Sequence, residues 1–143
     1  MIQLKFLILI PIYLISIPGI AFPINWEFVT SATNSQGIEA AYFIDTDEIK
    51  TFNGIRGYRE KRIYTRKRSL NSIGVMQVVG YYDCVNRNFV ELQFAFLSPE
   101  EKMLDWYEVS GYESKWKPII NNIIRSKFNF ACEFQNKRSS GDR

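Results

Sequence analysis

Histidine is absent from the 143 residues, and cysteine occurs only twice. Without histidine, a cysteine or serine nucleophile lacks its usual base. Two cysteines fall short of the roughly four Cys and His ligands of a structural zinc site. Neither a Gly-rich phosphate loop nor a Gly-x-Ser-x-Gly elbow occurs. No repeat occurs, and the only long apolar run is the first one. It follows Lys5, runs from Phe6 to Ile17, and is broken by Pro11 and ended by Pro18. A membrane-spanning helix needs about 20 apolar residues. Gly19 and Ala21 form a small-x-small cleavage pattern.

Residues 1–21 are therefore expected to be a signal peptide, residues 22–136 one domain, and 137–143 a disordered polar tail. A retained anchor is the alternative. No cysteine lies near the cleavage point, so no lipid anchor is expected. The chain is expected to be exported, to the periplasm, the medium or the cell surface, with no transmembrane segment once the signal is removed. Losing Lys5 takes the formal charge from +3 to +2. So mild a basicity makes no case for nucleic acid, and no cofactor or metal is expected.

Export places Cys84 and Cys132 where disulfides persist. They allow one intramolecular pairing. In Gly74–Cys84 the even positions Met76, Val78, Gly80, Tyr82 and Cys84 share a face. In Phe89–Leu97, Val90, Leu92, Phe94 and Phe96 alternate with Glu91, Gln93 and Ala95. Both read as strands with an inward face. Ile120, Ile124, Phe128 and Cys132 recur every four residues, as on a helix face. Pro118 bars an earlier start, and Asn121 or Asn122 can cap it.

Four further runs, Trp26–Thr30, Glu39–Ile44, Ile55–Thr65 and Leu104–Val109, are separated by turn residues such as Asn53-Gly54 and Ser98-Pro99. The expected fold class is α+β: a roughly six-stranded antiparallel sheet with a C-terminal helix on one face, tied by the disulfide.

The order Trp26, "YFIDTDEI", "YYDCVNRNF", "WKPI" and a final "FAC" resembles the surface-adhesin protein E family of exported bacterial domains. The resemblance runs from about Trp26 to Cys132. Its most specific part is the aromatic-Asp-Cys followed by Arg87, paired with a cysteine in the last helix. It implies an antiparallel sheet with the helix on its concave face, and adhesion to a host macromolecule. The missing lipid-attachment cysteine departs from the namesake adhesin.

Three clusters bear on function. Asp45-Thr46-Asp47-Glu48 lacks the spacing and glycine of a calcium loop and reads as a turn. Arg59, Lys61, Arg62, Arg66, Lys67 and Arg68 make the strongest local charge feature. They read either as a solvated edge strand whose charges block pairing or as a polyanion-binding surface. Trp106, Tyr107 and Tyr112 read as core aromatics in preference to an exposed binding or dimerisation surface. Glu100, Glu101 and Asp105 are the carboxylates that a hydrolase would need. The expected function is a non-enzymatic binding domain for a host or envelope macromolecule. The alternative is a periplasmic structural or stress-related domain, and a hydrolase ranks last.

Overall fold

The computed structural model describes residues 24–66, 72–109 and 115–134. The expected signal peptide, the tail, Lys67, Arg68 and Tyr112 lie outside the described residues. Among those described, no helix is long and apolar enough to cross a membrane.

The strands are β1 (Trp26–Thr33), β2 (Ile38–Asp45), β3 (Lys50–Phe52), β4 (Ile55–Arg66), β5 (Ser72–Asp83), β6 (Asn88–Leu97), β7 (Met103–Glu108) and β8 (Lys117–Pro118). One helix, α1 (Asn122–Glu133), follows them. All strand pairs are antiparallel, in the order β1-β2-β4-β5-β6-β7. The short β3 pairs β4 beyond the end of β2, and β8 pairs β6 beyond the end of β7. The six strands expected from periodicity are all present. The two short ones carry too few residues to show a period.

Local chemistry explains the joints. Asn53 (φ 49°) and Gly54 (φ 77°) form a two-residue hairpin between β3 and β4. Both central residues are left-handed, which suits Asn-Gly and matches strand twist. Asp45 Oδ1 accepts from the amides of Asn25 (3.0 Å) and Asp47 (3.1 Å), so the acidic cluster is the turn that its composition indicates. Asn121 caps α1 by accepting from the Ile124 amide at 2.8 Å. Ile120, expected on the helix face, precedes the helix and is exposed.

The alternation in β6 needs one correction. A bulge shifts the register so that Val79 faces Gln93 while Gly80 faces Glu91, leaving Leu92 as the extra residue. Phe94 and Phe96 therefore share the helix-side face with Val78 and Met76. Beyond the bulge that face carries Glu91 and Phe89, and Val90 turns to the other side, where it is still buried. Gly80 sits at the bulge because a Cβ there would lie 2.2 Å from the Val90 carbonyl oxygen.

The core lies between α1 and one face of this curled sheet. Ile44, Ile49, Tyr58, Tyr82 and Phe89 meet Phe128 and Ala131 of the helix. Tyr58 stacks on Tyr82 at 4.3 Å, and Phe128 meets Tyr82 edge-on at 5.8 Å. Burying a side chain such as Phe128 contributes roughly 1.5–3 kcal/mol. Cys84 and Cys132 are disulfide-bonded, with Cα atoms 5.8 Å apart. Asp83 turns the chain beyond the strand by accepting from the amides of Val85 (3.1 Å) and Asn86 (3.0 Å). The Asn86 amides hold its carboxyl below the usual carboxylate range. Arg87, left-handed at φ 56°, sets its guanidinium 4.9 Å from the centre of the Phe128 ring.

Candidate functional site

Arg59, Lys61, Arg62 and Arg66 lie on β4, which pairs with β2 on one side and β5 on the other. It is a central strand, so the reading of a charged edge that blocks pairing is corrected. Composition shows the charge, but long-range pairing decides whether a strand is central.

Strand alternation divides the cations. Arg59 and Lys61 share one face; Glu60 and Arg62 share the face that meets α1. Arg59 is half-buried. The Lys61 ammonium bonds Glu101 at 3.1 Å and lies 4.9 Å from the centre of the Trp26 ring. Arg66 is exposed at the end of β4. Arg56, in the same segment, donates to the carbonyls of Ala131 (3.0 Å) and Phe134, tying down the C-terminal end of α1. That end is where a cation is favoured by the helix dipole.

Arg62 belongs to a buried tetrad. It bonds Glu60 and, at 2.7 Å, Glu91. From the helix, Lys127 reaches the same Glu60 carboxylate at 2.9 and 3.1 Å. Glu60 has no exposed surface, and Lys127 is only 3% exposed. Lys127 and Arg62 lie 4.8 and 5.7 Å from the centre of the Tyr42 ring. Two carboxylates thus balance two cations. Burial outweighs Glu60 and pulls the Lys127 ammonium below its ordinary range. For Arg62 burial pulls the same way, but Glu60 and Glu91 outweigh it and raise the guanidinium. The tetrad was legible only in part. Glu60 and Arg62 alternate with Arg59 and Lys61, and Lys127 interrupts an apolar helix stripe, but the link between them spans 67 positions.

The tyrosines of this face respond to pH. Burial raises Tyr58 and Tyr82 well above the ordinary phenol value, and Tyr42 less strongly. The folded chain keeps protons that the unfolded chain releases near pH 10. The stability from these rings is therefore full below about pH 10 and is lost as pH rises through their folded values. Lys127, lowered on folding, acts the opposite way up to its unfolded value, but it is one group against three. An alkaline absorbance titration, followed beside near-ultraviolet circular dichroism, checks this. Tyr58 and Tyr82 should ionise only as near-ultraviolet circular dichroism is lost. A single reversible tyrosinate step with the fold intact would contradict this.

The exposed surface lies elsewhere. β7 ends the sheet, and among the described residues it has no neighbour on its outer side. Met103, Leu104, Trp106 and Tyr107 are 54%, 68%, 54% and 46% exposed. Core packing of Trp106 and Tyr107 is thus corrected. Their spacing resembles a buried strand, but no layer among the described residues covers β7. Tyr107 stacks on Phe94 at 4.8 Å, which orients its ring. Glu101 is bonded to Lys61, and the Asp105 carboxylate accepts from the Trp106 amide at 2.8 Å.

No protein-family model, curated protein or solved structure matches the chain.

Proposed function

We propose that the chain is an exported, non-enzymatic binding domain, similar to the surface-adhesin protein E family, that contacts a host or envelope macromolecule through β7. One observation carries this reading: four large apolar side chains stand exposed on a single edge strand. Aromatic residues and methionine on such a surface are typical of protein contact cores, and exposed apolar patches mark interaction sites. The disulfide is compatible with export. The polyanion reading is less favoured, because Lys61 and Arg62 are already bonded to carboxylates.

The test uses the oxidised domain, with immobilised extracellular-matrix protein and isolated cell-envelope fraction as partners. Trp106→Ser is expected to reduce retention on one of them by about tenfold, the scale of an aromatic hot spot, with unchanged melting temperature. Equal retention of variant and native domain on both would contradict the reading. Fractionation of cells with an antibody distinguishes outer surface from periplasm.

A further inference from the structure

The chemistry of the β7 edge narrows the partner. Val109 donates its amide to the Leu92 carbonyl at 2.8 Å, toward β6. Backbone groups of a strand alternate in direction, so the amides of Trp106 and Glu108 point away from the sheet. The Trp106 amide does not stay open: Asp105 Oδ1 accepts from it at 2.8 Å. Such a carboxylate protects an edge from indiscriminate pairing. Asp105 and Glu108 form no ion pair with any described cation.

We propose that β7 accepts an extended peptide as an added strand, with basic residues on the face of Asp105 and Tyr107 and apolar residues on the face of Trp106. This rests on the binding reading above and names its partner class. An incoming carbonyl takes the Trp106 amide, and the released Asp105 carboxylate pairs with the peptide's Lys or Arg. The Tyr107 ring beside it offers the cation a second contact. A second copy of this chain is the poorer occupant. Two β7 strands paired side by side would bring the Asp105 carboxylates of both copies to the same face, and like charges in cross-strand positions destabilise the pairing.

The test titrates the full oxidised domain with an eight-residue peptide alternating Val with Lys. Its two controls are a Val/Glu peptide and a Val/Lys peptide methylated on alternate backbone nitrogens. The Val/Lys peptide is expected to bind about tenfold more tightly than Val/Glu, the scale of one or two such pairs. The methylated peptide should not bind, and Asp105→Asn should bring the Lys and Glu peptides to within about twofold of each other. Equal binding of the Lys and Glu peptides, retained binding after methylation, or undiminished discrimination by Asp105→Asn would overturn the proposal. So would a Val/Lys peptide that does not bind. If Trp106-dependent retention on a macromolecule then persists, strand addition fails but the binding reading stands.

Discussion

Replacing Glu60 by alanine is expected to lower stability by about 3–5 kcal/mol, the cost of breaking a buried ion pair from one side. The Glu60 carboxylate is fully enclosed and serves cations from two elements, Arg62 on β4 and Lys127 on α1. Without it, Lys127 has no carboxylate within bonding distance among the described residues. Its pKa is already pulled down by burial, so the ammonium is expected to shed its proton rather than remain an unpaired buried charge. That relief limits the loss but does not cancel it, because Arg62 cannot deprotonate and is left with Glu91 alone. A total of roughly 5–15 kcal/mol is typical for a domain, so the variant should be near the limit of folding. Glu60→Met combined with Lys127→Met should lose less than Glu60→Ala, because an apolar pair replaces charges without leaving one stranded. Urea denaturation of the three proteins measures both effects. A loss below about 1 kcal/mol for Glu60→Ala would mean that the tetrad is as weak as a surface pair.

Opening the disulfide should have an effect of similar size. Cys84 and Cys132 are 48 positions apart. A crosslink over such a loop removes about 4 kcal/mol of unfolded-state entropy, and losing a native bridge commonly costs about 2–5 kcal/mol. The loss is not expected to detach α1 completely. Arg56 still holds its last carbonyls, Lys127 still bonds Glu60, and Arg87 still covers Phe128. Cys84→Ser should therefore give a folded domain of lower melting temperature, and the Cys84→Ser/Cys132→Ser pair should melt close to it. A double variant that melts with the native protein would contradict this account, as would peptide mapping that finds both thiols free after oxidative folding.

Much of this architecture was legible before any coordinates. Six strands and the helix follow from periods of two and near four, from the Asn53-Gly54 hairpin and from the Asn121 cap. The disulfide follows from two cysteines in a chain that reads as exported. What periodicity misses is anything that resets a register or depends on a distant partner. One extra residue at Leu92 reverses the face of Val90. The basic run looks solvated because charge is counted along the chain. Glu60 on β4 and Glu91 on β6 neutralise Arg62, Glu101 takes Lys61, and Glu60 also holds Lys127 of α1. Trp106 and Tyr107 carry a core-like composition, and only the order of strands reveals that they stand on an outer edge.

Contact is expected through the β7 aromatics and not through Arg66, Lys67 and Arg68. Retention on one immobilised partner, chosen because the native domain binds it, compares them directly. Trp106→Ser/Tyr107→Ser is measured beside Arg66→Ala/Lys67→Ala/Arg68→Ala, each checked for an unchanged fold by circular dichroism. Retention is expected to be lost in the first variant and kept in the second. Loss confined to the second variant, with elution that shifts steeply with salt as screened point charges require, would contradict it and return the binding surface to the arginines.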